Sequence, residues 1–306
     1  MSGDRFGDES TSAGFSLVAV LVFMLIVSAI VVPFAVTAKT RLMIANNEVE
    51  QERLSLLAEG LADVVSSELA DGFATEKLPP DSTPTACRSG EFTFDVRIQD
   101  HSGLIDLNAA DAALLSLGFA SLGFDRQMSE ELAEAAIQFR SSINAFAAQA
   151  AEPATAVGPA QNKQAPFESV SELQEFSALA STPLHDLHDV FTVFSKRGTL
   201  NLDHAPSRLR TVLAGSPASS ASITQEATEG SAYSVEVSAR RDGSGIAGQV
   251  GFIIEKFPAS AAGFRRISRT PAAEIADLAA TTSSRFTDCD ALFGTEAAQI
   301  LMGWAS

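Results

Sequence analysis

The stretch from Phe15 to Ala38 contains no charged residue, and no other feature constrains the fold of this chain as strongly. At about 1.5 Å per residue, its roughly 24 residues cover the ~30 Å hydrocarbon core of a bilayer, so it predicts a membrane-spanning helix. Pro33 lies inside it, where we expect a kink or one loosened turn. A cleavable signal peptide is the alternative, because Val36 and Ala38 offer a small-residue cleavage site.

The apolar pattern continues beyond the predicted membrane segment, through residues 39–71. Large apolar residues recur there, mostly three or four positions apart with acidic and basic residues between them: Leu42, Val49, Leu54, Leu57, Leu61, Val64, Val65 and Leu69. This spacing is typical of an amphipathic helix. We therefore predict one continuous helix from Phe15 to about Ala70, with Gly72 as its stop.

The composition of the chain excludes several classes of protein. A net charge of −17 repels phosphate backbones, so we expect no nucleic-acid partner. A length of 306 residues is enough for two modest domains. Cys87 and Cys289 are too few for a disulfide-rich scaffold and lack the spacing of a zinc site, but they could form one bond in an oxidising compartment.

After the long helix the hydrophobic period changes to two. Residues 91–100 alternate polar residues with Phe92, Phe94, Val96 and Ile98, which predicts a strand followed by a turn and a second strand. A Gly-x-apolar-Asx-apolar-Asx-x-Ala frame begins at Gly103 and returns at Gly198. We expect the second Asx of each frame, Asn108 and Asp203, to close a strand and cap the next helix.

The segment between the two frames has helical spacing. Ser169 or Ser171 ahead of Glu172 forms a capping pattern within it. Two strands about a Gly-rich turn are predicted within residues 233–257, and a third within residues 263–269.

Several segments resemble the minor pseudopilin K family of the type II secretion system, also called general secretion pathway protein K. They are Gly14-Phe15-Ser16-Leu17, "GLIDLNAADAALL", "PFESVSELQEF" and "VFTVFSKRGTLNLDHAP". The resemblance covers most of the chain and implies an α+β, pilin-like fold, in which a long N-terminal helix packs on an antiparallel sheet with an all-α insertion domain between sheet strands. The implied boundaries are a leader at 1–14, a transmembrane part at 15–38, its amphipathic continuation at 39–71, a pilin-like β domain at 76–108 and 190–306, and the insertion domain at 109–189.

The resemblance also implies processing by prepilin peptidase between Gly14 and Phe15. Pilin-like subunits usually have Glu at the fifth mature position, which neutralises the N-terminal amine of the subunit above. Here that position is Ala19. The absence of this Glu suits a subunit with none above it, at the tip of an assembly. The alternative is that Ala19 is an ordinary apolar residue of an anchor.

The function that these observations favour is structural and not enzymatic. The resemblance implies a minor pseudopilin at the tip of a periplasmic pseudopilus that supports protein export across the outer membrane. The implied partners are the minor pseudopilins I and J, other pseudopilins and prepilin peptidase. The implied location is the inner membrane, crossed once, with the globular part in the periplasm. The alternatives are a membrane-tethered helix-hairpin-helix binding module and a secreted enzyme with a signal peptide.

Two further predictions follow from a periplasmic location and a helical anchor. Cys87 and Cys289 are the two cysteines of the chain, and we predict a disulfide between them. For the partners I and J, we predict lateral binding through the long helix, around Leu54, Leu57, Leu61 and Val64.

Three motifs have a plainer interpretation than their chemistry suggests. Gly243, Gly245 and Gly248 spell G-x-G-x-x-G, but the following residues alternate like a strand, whereas a dinucleotide site needs a helix there. His185 and His188 lie one helical turn apart without a third metal ligand, which indicates a solvated helix face.

The acidic residues near the C-terminus form the third motif. Asp288, Asp290 and Glu296 provide hard oxygen ligands of the kind that calcium takes, but they lack the EF-hand spacing. We expect a solvated acidic loop, with calcium as the alternative and no other cofactor.

Overall fold

The computed structural model describes residues 10–71, 78–141, 157–159, 163–215, 223–224, 231–257, 263–270, 287–294 and 303. The chain forms two compact units, Met1–Glu52 and Arg53–Ser306. The helices are α1 (Ser10–Asp71), α2 (Ala112–Ser121), α3 (Arg126–Arg140), α4 (Leu184–His188), α5 (Ser207–Gly215) and α6 (Cys289–Phe293). The strands are β1 (Thr85–Ser89), β2 (Phe92–Asp100), β3 (Ile105–Asp106), β4 (Phe191–Thr192), β5 (Leu200–Asn201), β6 (Ile223–Thr224), β7 (Ala232–Arg241), β8 (Ala247–Lys256), β9 (Phe264–Thr270) and β10 (Thr287–Asp288).

Helix α1 is the long helix that the sequence predicts, and it begins at Ser10 instead of Phe15. Pro33 lies inside it without ending it. The hydroxyl of Thr37 donates to the carbonyl oxygen of Pro33 at 2.9 Å, so a polar side chain of the apolar segment is satisfied within the helix. In the first unit, the large apolar side chains from Leu17 to Val49 are exposed.

The main sheet of the second unit has the strand order β10-β1-β2-β7-β8-β9. All its neighbouring strands are antiparallel except the pair β1 and β10. The alternation of residues 91–100 produces a ladder in which Val96 pairs with Val237 and Val237 pairs with Val250. The strands predicted at 233–257 and 263–269 are confirmed as β7, β8 and β9.

The part of α1 after Arg53 packs on this sheet. Leu61, Val65 and Leu69 are buried in one core with the sheet residues Val96, Val237 and Phe252. Gly248 makes the close approach of helix and sheet feasible, because a Cβ there would lie 2.1 Å from the backbone nitrogen of Ser55.

The chain leaves the sheet after β2 and returns to pair with β2 at β7. Helices α2 to α5 all lie in the sequence between β2 and β7, and we call this part of the chain the helical region. The predicted α+β architecture is therefore confirmed: a long N-terminal helix, an antiparallel sheet, and a helical insertion between sheet strands.

The helical region has its own hydrophobic core. Asp111 and Asp125 begin α2 and α3 as N-caps, accepting hydrogen bonds from the backbone nitrogens of Leu114 and Met128. The predicted capping box is present at Ser169 and Glu172, although it begins a 3₁₀ helix over Val170–Glu175 instead of an α-helix.

Helix α5 belongs to the same core as α2 and α3. Its residues Leu209 and Leu213 are buried in that core, together with Leu114, Phe119 and Phe139. They lie after residue 189, so the hydrophobic packing of the helical region continues beyond the segment with helical spacing that ends there.

The two Gly-x-apolar-Asx frames pack against each other reciprocally. A Cβ at Gly103 would lie 2.1 Å from the carbonyl oxygen of His204, and a Cβ at Gly198 would lie 3.0 Å from the carbonyl oxygen of Ala109. His204 and Ala109 occupy the same position of their respective frames. Because the two frames share the same spacing, each places the glycine before its strand, β3 or β5, against the backbone that follows the strand of the other frame.

One local prediction at the frames is confirmed and one is wrong. The predicted strand, turn and second strand are present as β2, a 3₁₀ helix at His101–Gly103 that Asp100 caps, and β3, which pairs in parallel with β4 and not with β2. The second Asx of each frame is not the cap. The first Asx is the one that turns the chain: Asp106 accepts from the backbone nitrogen of Asn108, and Asn201 from that of Asp203.

Candidate functional site

A membrane-length helix is the first functional feature of the molecule. Among the described residues, α1 is the one helix long and apolar enough to cross a membrane, as judged by length and composition. Its most apolar window has a mean hydropathy of 3.0, and none of that window is buried. Ala19 is exposed within this apolar part.

The predicted processing step at Gly14 and Phe15 lies in the backbone of α1, whose first residue is Ser10. Residues 1–9 of the predicted leader are outside the described part of the chain, and so are the side chains of residues 10–16. Cleavage between Gly14 and Phe15 therefore stays a prediction.

The predicted partner face on α1 is wrong. Leu54, Leu57 and Leu61 are only 1%, 4% and 0% exposed, because they pack into the core against the protein's own sheet. Val64 packs against the same core and is partly buried. In the second unit the exposed large apolar residue of α1 is Leu56, at 52% exposure.

Cys87 and Cys289 form a disulfide in this structure, with a Cα–Cα distance of 5.0 Å. Cys87 is in β1, which pairs in parallel with β10, and Cys289 begins α6 directly after β10. Both cysteines are fully buried in the core between α1 and the sheet. The bond therefore ties the last described strand of the chain to the beginning of the sheet.

The acidic residues near the C-terminus do not form a recognisable metal centre. Asp288 and Asp290 are exposed, and Glu296 lies outside the described residues. Among the residues that the structure describes, no group of three or more His, Cys, Asp and Glu side chains could hold a metal ion. Calcium binding at these residues stays a prediction without supporting geometry.

The glycine motif lies where a strand begins. Gly243 has a positive φ of 76° in the turn after β7, and Gly248 is inside β8. A dinucleotide site would need a helix N-terminus at this point, so the motif has the structural role that the sequence predicts.

The helix-hairpin-helix alternative depends on residues 172–191, and this segment does not contain two regular α-helices. Its described residues form the 3₁₀ helix Val170–Glu175 and the five-residue helix α4. His185 lies near the carboxylate of Asp186 at 3.7 Å, whereas His188 is largely buried and its pKa is lowered by burial. The two histidines therefore do not share one solvated face as predicted.

A buried polar cluster joins the end of β2 to the second frame. Asp100 accepts from the backbone nitrogen of Ser102 at 2.7 Å and contacts His204 Nδ1 at 3.0 Å. Burial alone would raise the pKa of Asp100, but the bonds from His204 and Ser102 outweigh it and lower that pKa. The hydrogen bond to Asp100 raises the pKa of His204. The contact between Asp100 and His204 thus holds the second frame against the end of β2.

The same residues resemble a Ser-His-Asp triad in composition but not in geometry. Ser102 Oγ lies 3.1 Å from His204 Nδ1, the same nitrogen that contacts Asp100. A triad base needs one ring nitrogen for the carboxylate and the other for the nucleophile. Ser102 is also only 3% exposed, so a substrate has no access to its hydroxyl.

His101 connects the sheet to the helical region through a second pair of hydrogen bonds. Its Nδ1 lies 2.7 Å from Thr192 Oγ1 in β4, and its Nε2 lies 2.9 Å from Ser234 Oγ in β7. Complete burial lowers the pKa of His101 to about 4, so the ring is neutral at pH 7.

A small cavity of about 20 Å³ lies between the sheet and α4. Arg97 and Glu236 line it from β2 and β7, and His188 and Asp189 line it from the helical region. Burial raises the pKa of Glu236 to about 7, against the opposing charge of Arg97, whose Nη1 is 3.9 Å away. Glu236 Oε2 is buried without a hydrogen-bond partner. The sheet and the helical region therefore meet at a buried carboxyl group whose charged form is disfavoured.

Sequence reasoning missed both polar clusters. Asp100 and His101 lie at the end of the predicted strand. The signal for them in the sequence is that polar residues follow the alternating apolar ones at this point. Glu236 occupies an ordinary polar position of an alternating strand. No local pattern reveals that the helical region covers it.

Comparisons with known proteins are sparse. No family model matches the chain, and no curated protein matches it. A solved structure of the GspK-GspI-GspJ complex from the type 2 secretion system of enterotoxigenic Escherichia coli contains a similar chain, with a TM-score of 0.49 at 12% sequence identity. The alignment covers 74% of this chain and 98% of that chain. A likeness at this level leaves the function to be inferred from the residues and contacts of this chain.

Proposed function

We propose that this chain is a minor pseudopilin of the K type, a membrane-anchored structural subunit of a type II secretion system and not an enzyme. One observation carries the proposal: an apolar, exposed, acid-free segment continues as the helix that packs on an antiparallel sheet with a helical insertion. The disulfide between Cys87 and Cys289 supports an oxidising compartment such as the periplasm. The anchor would then lie in the inner membrane, crossed once.

The position in the assembly follows from Ala19. A buried charge in a bilayer costs roughly 2.5–3.5 kcal/mol or more when it is unpaired. A subunit without Glu at its fifth mature position would leave the N-terminal amine of a subunit above it unpaired. A subunit with none above it has no such amine to neutralise. We therefore propose a tip position, where this chain supports export across the outer membrane together with the minor pseudopilins I and J.

The partner surface is proposed on exposed residues, in place of the buried ones. In the first unit, Leu42 and Val49 are exposed apolar residues spaced seven apart, the spacing of one helix face. In the second unit, Leu56 is exposed. Val49→Asp or Leu56→Asp should abolish copurification with the I and J partners, whereas Asn47→Asp, which adds the same charge at an exposed polar position, should not. Retained copurification of both apolar variants would contradict this surface.

N-terminal sequencing of the membrane-bound protein tests the proposed function. We expect the mature chain to begin at Phe15, and Gly14→Val to block maturation because added side-chain volume at the cut should be rejected. The control is Gly7→Val, the same change within the leader, which should mature normally. A mature start at Lys39 would overturn the proposal and support the signal peptide instead.

A further inference from the structure

The edge strand β9 differs in charge from the rest of the protein. Its seven residues, Phe264–Thr270, include three arginines and no acidic residue, in a chain whose net charge is −17. The strand pairs with β8 and is last in the described order of the sheet. Five consecutive residues of it, 265–269, are exposed. A basic strip therefore stands at one edge of an acidic protein.

The same edge also exposes apolar residues. Outside α1, Phe257 and Ile267 are the two exposed large apolar side chains of the described residues, at 41% and 38% exposure. Arg266 pairs with Ile254 and Ser268 pairs with Ile253, so Ile267 is the extra residue of a bulge. A bulge at an edge disfavours main-chain pairing with another strand. Recognition at this edge would therefore go through side chains.

A groove adjoins β9 on the side of the helical region. It has a volume of about 420 Å³. Its lining includes the apolar residues Leu184, Phe194 and Ile267 and the polar residues Ser171 and Arg269. Glu168 also lines it and is paired with Lys163 at 3.4 Å. A groove of this size accepts one large apolar side chain with room for its neighbours.

One of the three arginines of β9 keeps donors for a partner. Arg265 donates to Glu255 at 2.6 Å. Arg266 pairs with Glu59 and Asp63 of α1, and its guanidinium lies 3.8 Å from the ring centroid of Phe252, which holds it in place. By contrast, Arg269 is 64% exposed. Within the described part of the chain, the carboxylate within 4.0 Å of Arg269 is Glu59, at 3.9 Å, which is beyond hydrogen-bond distance.

We infer that this groove is a docking site for an acidic segment of another protein, which inserts a large apolar side chain between Leu184 and Ile267 and places a carboxylate on Arg269. Arginine and exposed apolar side chains in one patch are the composition of interface centres. Bidentate guanidinium–carboxylate pairing would supply the orientation.

A nucleic acid is the weaker occupant for the same surface. Glu59, Asp63 and Glu255 lie beside the arginines and would repel a continuous phosphate chain. A peptide with a few carboxylates and an apolar anchor can place its charges selectively. The inference goes beyond the proposed membrane role and does not depend on it.

Binding of a defined peptide to the full chain in detergent tests this inference. The probe is a short fluorescein-labelled peptide in which acidic residues flank a central leucine, measured by fluorescence anisotropy. We expect saturable binding that weakens about tenfold or more in Arg269→Glu and in Ile267→Ser, and that weakens with added salt. The control variant is Arg88→Glu, an exposed arginine of β1 that also has a carboxylate partner, Asp242.

Four results would overturn the docking site. The first is no saturable binding by the wild-type chain. The second is equal weakening by Arg88→Glu. The third is equal binding of a peptide whose leucine is replaced by serine. The fourth is an oligothymidylate that binds as tightly as the peptide and is insensitive to Ile267→Ser, which would assign the strip to polyanions in general. Circular dichroism of each variant checks that the exposed changes leave the fold intact.

Discussion

The core between α1 and the sheet and the core of the helical region place their aromatic residues differently. In the first, aromatic residues such as Phe94 and Phe252 pack among aliphatic residues of the helix and the strands. In the second, aromatic rings pack on one another, with the centroid of Phe139 at 4.7 Å from Phe167 and 5.5 Å from Phe176. Among the described residues, the contacts between phenylalanine rings are thus in the helical region.

The two cores also differ in how far apart their decisive residues are in the sequence. The sheet core depends on Gly248 facing Leu54 and on Cys87 facing Cys289. In the helical region, α2 and α3 begin at local signals, the N-caps Asp111 and Asp125. Loss of a distant contact should therefore weaken the first core strongly, whereas loss of one of these caps should have a small, local effect.

Loss of the disulfide should have the largest effect. The bond joins residues with a sequence separation of 202, and by the chain-entropy model its loss in Cys87→Ser with Cys289→Ser should lower the free energy of unfolding by about 4–5 kcal/mol. Denaturant unfolding of the wild type and the double variant measures this. Hydrogen exchange should accelerate in β1 and β2 more than in α2 and α3. Equal acceleration of exchange in these strands and helices would contradict the expectation that the disulfide stabilises mainly the core between α1 and the sheet.

Gly248→Val should destabilise the contact of helix and sheet. Its Cβ would lie 2.1 Å from the backbone nitrogen of Ser55 and 2.2 Å from the backbone carbon of Leu54, so α1 must move away. We expect a loss of about 3 kcal/mol in the free energy of unfolding, the upper end for an overpacked core. The matched control is Gly245→Val, which meets nothing within 4 Å. A similar loss in both variants would point to strand propensity instead of helix–sheet contact.

Sequence reasoning succeeded where one segment decides its own structure. The alternation of Phe92, Phe94, Val96 and Ile98 predicts β2, and the charge-free run with its amphipathic continuation predicts α1. It failed where the answer depends on what covers a surface. The apolar stripe around Leu54 and Leu57 has the same pattern whether the covering sheet is the chain's own or a partner's. Burial against its own sheet is the result of tertiary packing that a periodicity cannot reveal.

The polar cluster at Asp100 and His204 illustrates the same limit. Asp100 ends β2 just before the first frame, His204 belongs to the second frame, and Gly103 allows the close approach that brings them to a 3.0 Å contact. The frames themselves are visible in the sequence, since their glycines and Asx residues repeat at the same spacing. Which Asx turns the chain is decided by hydrogen bonds to nitrogens two residues on, and the pattern alone leaves two choices.

Glu236→Gln tests the buried contact between the sheet and the helical region. Burial raises the pKa of Glu236 to about 7 in the folded protein, against about 4.5 when unfolded, so the folded state binds more protons between these values. The contribution of Glu236 to stability is therefore lost as pH rises from about 4.5 to 7, and the loss persists above pH 7.

The variant removes that loss because an amide has no charge to bury. At pH 8 we expect Glu236→Gln to raise the free energy of unfolding by about 1–3 kcal/mol, with little change at pH 5. Denaturant unfolding at both pH values measures the difference. Glu91→Gln, an exposed change in the turn between β1 and β2, should give no such gain. An equal gain in the free energy of unfolding at pH 5 would show that the gain does not come from removing the ionised form of Glu236.

The smallest expected effect compares two helix N-termini. Asp125 begins α3 and accepts a hydrogen bond from the backbone nitrogen of Met128 at 2.9 Å, so Asp125→Ala should lower the free energy of unfolding by about 1 kcal/mol. Asp288 begins α6 but makes no side-chain cap hydrogen bond. Asp288→Ala should therefore have almost no effect in calcium-free buffer, which denaturant unfolding would check.

Repeating both measurements with added calcium separates the cap from the metal alternative. A cap contributes through a backbone hydrogen bond, so the cost of Asp125→Ala should not depend on calcium. If Asp288 is only a solvated carboxylate, its variant and the wild type should stay equally stable with calcium present. A calcium-dependent stabilisation of the wild type that Asp288→Ala removes would instead assign a metal to this end of the sheet, by the mass-action stabilisation that a bound ion confers. The sheet core would then depend on a ligand as well as on its disulfide, a dependence that the helical region with its local caps does not share.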